Sequence, residues 1–162
     1  MKIEVQSISE RRKPADLFIA VFFEKEKPAK DIESLEPQFA KLVKTALEKG
    51  RFEGKFAQTF SSFSGENREA QEVAVFGLGQ RKNYRRSCLR KAAGQMIQLA
   101  KSRKAGRVRI LLDSFAGGQP TLADAAGIIP EISLLASYDF DKYKSKKEED
   151  KKGGRLEALE LL

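Results

Sequence analysis

Three near-continuous apolar runs, Leu17–Phe23, Val73–Leu78 and Val108–Leu112, constrain this chain more than any other feature, because β-branched and aromatic residues dominate them. A strand that alternates polar and apolar residues leaves one face in water, whereas a strand apolar at nearly every residue must be covered on both faces. Stretches of helical period lie between the runs and can supply that cover. After Pro37, residues Phe39, Leu42, Val43, Ala46 and Leu47 recur at helix spacing, and Gly50 offers the left-handed stop. Leu89, Ala92, Ala93, Met96, Ile97 and Ala100 form a second stripe, which predicts a helix from about Asn83 to Ser102. Gly94 within it costs a helix about 1 kcal/mol relative to alanine, so it predicts a close contact with a neighbouring helix. A third helix opens at Thr121, where Thr-Leu-Ala-Asp fits a capping pattern and Leu122, Ala125, Ala126 and Ile129 follow in period. Pro130 lacks the N–H a helix interior needs, a loss of roughly 3 kcal/mol, and predicts a kink, with two helical pieces or a break near Ile129.

The flanks complete the order of elements. Lys2–Ser7 alternates, with Ile3 and Val5 on one face, as an edge strand does. Lys55–Phe63, carrying Phe56, Phe60 and Phe63, reads as another strand. Ser145–Gly154 has lysines, acids and two glycines with no apolar residue, the composition of a flexible, charged, solvated loop, and Leu156–Leu162 returns to an apolar strand pattern. The expected fold is therefore α/β, a three-layer α/β/α unit around a mixed or mainly parallel sheet, with residues 1–162 as one domain.

What the chain lacks bounds its chemistry. It has no histidine, so a Ser-His-Asp triad, a Cys-His dyad and a histidine-based zinc site cannot be built within it. Its one cysteine, Cys88, excludes an internal disulfide, points to a reducing compartment and reads as core packing. Glu148, Glu149 and Asp150 are consecutive and flanked by lysines, which suits solvated charge better than metal ligation. No apolar run approaches the ~20 residues needed to cross a bilayer, so no membrane partner is expected.

Two features invite a binding role. Val73-Ala-Val-Phe-Gly-Leu-Gly79 looks like a strand ending in a glycine turn, whose amides at Gly77 and Gly79 could cradle a phosphate. A dinucleotide fingerprint would need a third glycine where this chain has Lys82, and the commoner role of such glycines is to permit a tight turn. Net charge is +8, and Arg81, Lys82, Arg85, Arg86, Arg90 and Lys91 cluster at one helix start, with Lys101, Arg103, Lys104 and Arg107 at its end. Arg86, Arg90 and Lys101 fall along one stripe that could follow a nucleic-acid backbone. A solvated helix face explains the same residues more simply, since no aromatic is interleaved with the positive charges.

The segment Ala136–Lys147, reading Ala-Ser-Tyr-Asp-Phe-Asp-Lys-Tyr-Lys-Ser-Lys-Lys, interlocks aromatic, acidic and basic residues without simple periodicity. It closely resembles the end of the N-terminal domain of the leucyl aminopeptidases (cytosol aminopeptidases), and Val73–Gly79 and Leu89–Gly94 resemble the same family in the same order. The resemblance implies a non-catalytic, macro-domain-like N-terminal domain that stands at the outside of a homo-hexamer, helps join its trimers and shapes access to the catalytic centre. It implies as partners a C-terminal catalytic domain, absent from this chain, and other subunits. The parent would be a cytoplasmic enzyme that removes N-terminal residues, leucine preferred, using two divalent metal ions, zinc or manganese. The family's metal motif, Asn-Thr-Asp-Ala-Glu-Gly-Arg, does not occur here, so no catalytic or metal residue is assigned. Some bacterial members bind DNA through this domain, and the macro-like topology suggests nucleotide or ADP-ribose binding at Gly77–Gly79 as an alternative. Pro130 and the segment Phe23–Leu35 depart from the family pattern. Tyr138, Phe140 and Tyr143 are read as an aromatic plug where the chain leaves the domain.

Overall fold

The computed structural model describes residues 1–7, 13–27, 30–64, 70–137 and 156–162. Six strands and four helices follow one another as β1 (Lys2–Val5), β2 (Ala15–Phe23), α1 (Lys30–Leu35), α2 (Pro37–Glu48), β3 (Thr59–Phe63), β4 (Ala70–Gly79), α3 (Arg86–Ser102), β5 (Arg107–Ile110), α4 (Leu122–Ser137) and β6 (Ala158–Leu161). The strands form one sheet in the order β1-β6-β5-β2-β4-β3. Neighbours are parallel except β3, which runs antiparallel to β4, so the sheet is mixed and mainly parallel.

Alternation along β2 explains the three layers. Leu17, Ile19, Val21 and Phe23 face Leu89, Ala93, Met96 and Ile97 of α3 and Ala125 and Ile129 of α4. Phe18, Ala20 and Phe22 point the other way, onto Ile32 of α1 and Phe39, Val43 and Ala46 of α2. All six residues of the predicted α3 stripe are buried, and so are β2 and β4 apart from single positions near their starts. Gly50 has the positive φ of 63° expected of the residue that ends α2.

Several expectations change in detail. The helix predicted from Asn83 starts instead at Arg86, because Arg81–Asn83 form a short 3-10 turn and Tyr84 turns its ring into the core. Lys55–Phe63 is a strand only from Thr59, since the Gln58 side chain accepts the amides of Glu53 and Lys55 and holds the preceding residues in a turn. Val108–Leu112 leaves the strand after Ile110, and Leu112–Phe115 form a second 3-10 turn. Pro130 does not break its helix: α4 is continuous from Leu122 to Ser137, with Ile128, Ile129 and Ser133 buried on both sides of the proline. Gly94 does face α4, yet a Cβ there would sit 3.8 Å from Ile132 Cγ2, an ordinary contact, so the approach does not demand glycine. Leu156–Leu162 contributes β6, which lies inside the sheet between β1 and β5. The loop expected at Ser145–Gly154 and the plug at Tyr138, Phe140 and Tyr143 lie outside the described residues.

Candidate functional site

In open parallel sheets, ligands bind outside the carboxyl ends of the strands, where two adjacent strands send their connections in opposite directions. Here those strands are β2, which leads through α1 and α2 to the β4 side, and β5, which leads through α4 to β6. The loops after β2, β4 and β5 meet at that place.

Arg81, just beyond β4, lies across it. Its Nε and Nη2 donate to the two carboxylate oxygens of Glu26, each at 2.6 Å, in the two-pronged geometry a guanidinium favours. Its Nη1 donates to the carbonyls of Ala116 and Gly117 at 3.0 and 2.8 Å. The guanidinium carbon sits 3.8 Å from the centre of the Phe23 ring, a cation–π contact at the end of β2. The Glu26 hydrogen bonds hold the guanidinium above its ordinary pKa, so it stays charged. Ser114 ties the same loops together, its Oγ accepting the Val21 amide at 3.0 Å and donating to the Leu111 carbonyl at 2.5 Å.

Beside this bridge, on the β4 side, an open crevice of about 280 Å³ lies among Glu24, Lys55, Phe56, Gln80, Asn83 and Cys88. Cys88 is half-buried and packs against the core, as its sequence context suggests, and its thiol donates to the Asn83 carbonyl at 3.4 Å. Tyr84 is buried against Phe23, with ring centres 5.1 Å apart; burial pushes its phenol pKa up, and the hydroxyl has no partner among the described residues.

The two glycines singled out in sequence are structural at close range. Gly77 and Gly79 are the last part of β4, and a Cβ on Gly77 would stand 2.1 Å from the Lys55 carbonyl oxygen, so only glycine lets that loop cross. The Gly77 amide donates to Gln58 and the Gly79 amide to Gly54, at 2.7 and 2.9 Å. Both amides that would have faced a phosphate are engaged within the chain.

Several members of the basic cluster pair with acids while remaining exposed. Arg86 pairs with Asp124 at 2.5 Å, and Arg90 holds both oxygens of Glu131 at 3.1 Å, so the stripe on α3 is matched by acids on α4. Arg85 donates to the carbonyls of Lys82 and Tyr84. Lys82 and Lys91 are exposed, and Lys101 is half-buried near the end of α3. Arg103 pairs with Glu72 at 3.4 Å and Arg107 with Glu160 at 2.6 Å. Arg86 and Arg90 thus link α3 to α4, and Arg103 links its end to β4, while all three side chains stay exposed.

Sequence reading missed the buried charge network. Arg109 is fully buried, and its Nε and Nη2 both donate to Oε2 of Glu160, at 2.8 and 2.6 Å. The signal was present, since Arg109 interrupts the apolar run Val108–Leu112. Glu26 carried no such mark, because its partner is 55 residues away. Among the described residues no group of three or more cysteine and carboxylate side chains is placed to hold a metal ion. The described residues do not fit the two metals that the family resemblance implies for the parent, and no step through a metal is assigned to this chain. No described helix is long and apolar enough to cross a membrane.

Residues 19–147 match a family model described as the cytosol aminopeptidase family, N-terminal domain. The fold is similar to that of a mutant of tomato leucine aminopeptidase, with a TM-score of 0.72 and 18% identity, covering 100% of this chain and 32% of that one. It is similar to the macrodomain of Mycobacterium tuberculosis DarG, with a TM-score of 0.65 and 10% identity over 98% of this chain and 96% of that one. It is also similar to the bottromycin maturation enzyme BotP in complex with Mn, with a TM-score of 0.61 and 19% identity over 91% and 26% of the two chains. At these identities the likeness is one of fold, and the chain spans about a third of the length of the tomato enzyme.

Proposed function

Since the chain belongs to the cytosol aminopeptidase family, as the N-terminal domain, we propose that it serves as the non-catalytic part of a cytosolic leucyl aminopeptidase. In that role it positions and assembles; the chemistry resides in a C-terminal domain holding two divalent ions, which removes N-terminal residues from peptides by attack of a metal-activated water. Its contacts would be that catalytic domain and the other subunits of a homo-hexamer. The observation that carries this reading is the family match over residues 19–147. The sequence does not contain the family's Asn-Thr-Asp-Ala-Glu-Gly-Arg metal motif, which accords with a non-catalytic role.

The test is made on the native protein. An antibody raised against this chain should precipitate, from the source cells, a polypeptide or complex with manganese- or zinc-dependent hydrolysis of leucine amides, while the purified 162-residue chain hydrolyses none. Precipitation of an 18.1 kDa species with no accompanying aminopeptidase activity would refute the proposal.

A further inference from the structure

The switch point at the carboxyl ends of β2 and β5 is where a sheet of this order would receive a ligand. Several of its polar groups already have partners from the chain itself. The Arg81 guanidinium, the natural receiver of an anion there, has its two-pronged face on the Glu26 carboxylate and its remaining Nη1 on the Ala116 and Gly117 carbonyls. The Val21 amide donates to Ser114 Oγ, the Ala116 amide to Asp113 and the Gly79 amide to Gly54. A Cβ on Gly117, whose φ is 98°, would lie 3.3 Å from Arg81 Nη1, so the loop approaches the guanidinium closely.

We infer that the switch point, unlike the open crevice beside it on the β4 side, is closed by the chain itself: Arg81 and Glu26 form a latch across it, and the Glu26 carboxylate stands where an anionic ligand would meet Arg81. The latch joins Glu26 after β2, Arg81 after β4 and the Ala116 and Gly117 carbonyls after β5 into a single rim. Closure of this kind leaves the macro-like fold as a rigid scaffold and removes nucleotide binding from its repertoire.

Hydrogen exchange on the 162-residue chain, with ADP as the ligand probe, tests this. The wild type should give no calorimetric heat with ADP at millimolar concentration. Arg81→Ala should speed exchange of amides 24–27 and 112–118 by about tenfold or more, leaving the amides of α2 unchanged. Glu26→Gln, which keeps the shape and removes the charge, should move the same amides in the same direction by less, and it serves where Arg81→Ala does not fold. Unchanged rim exchange in the folded variants would overturn the latch, and so would equal acceleration throughout the molecule. Binding of ADP by the wild type with protection of residues 112–118 would overturn the closure.

Discussion

Arg109 carries a charge at a fully buried position, and Glu160 is what makes that tolerable. Burial pushes the Glu160 carboxyl up, but hydrogen bonds from Arg107 and Arg109 outweigh it and hold the group below the ordinary carboxylate range. A depressed pKa stabilises the fold above the unfolded value of about 4.3, and that contribution fades as pH falls through the lower folded value. Glu160→Gln leaves two guanidiniums without their carboxylate, one of them buried, and should cost about 3–5 kcal/mol at neutral pH. Urea unfolding measured from neutrality down into the acid range checks both points: the wild type should lose stability as pH drops below about 4.3, and the variant should be flatter there. A variant as stable as the wild type at neutral pH would show that the pair contributes nothing. Gly77 makes a related point about single residues. The sequence marks it as special, but the reason, a carbonyl 2.1 Å from its missing Cβ, belongs to a loop some 20 residues earlier.

Elements were legible where their signal was local. The α3 stripe was read residue for residue, and the α4 cap forms as its sequence implies: Thr121 Oγ1 accepts the Asp124 amide at 3.1 Å while Asp124 Oδ2 accepts the Thr121 amide at 2.8 Å. The same cap, with Arg86, holds the Asp124 carboxyl below its usual range. Pro130 was misread because its local penalty is real but small beside the packing of α4 on α3 and the sheet, which buries Ala125, Ile128, Ile129 and Ser133. Pro130→Ala restores an N–H for the Ala126 carbonyl four residues earlier, at the expense of a more flexible unfolded chain. The net expectation is a gain of about 1–3 kcal/mol, read as a higher midpoint in calorimetry. A lower midpoint would mean that the proline ring is itself a needed contact.

The whole molecule depends on its last strand. β6 lies between β1 and β5 and pairs with both, and among the described elements β1 has no other sheet neighbour. Removal of residues 158–162 should therefore release β1, expose one edge of β5, take the Glu160 carboxylate from Arg109, and abolish the cooperative urea transition. Retention of a sharp transition with an unchanged slope would show that the remaining strands form the complete folding unit. The sequence by itself determined the α/β class, the doubly covered strands, the helical stripes and the family, because each rests on residue types and spacings within a short stretch. Tertiary structure alone decided the strand order, the pairing of Arg86 and Arg90 with acids of α4, the continuous α4 and the guanidinium latch at the switch point. Those outcomes join residues tens of positions apart, as Arg81 joins Glu26 and Ala116, and no local period encodes which distant group a side chain will meet.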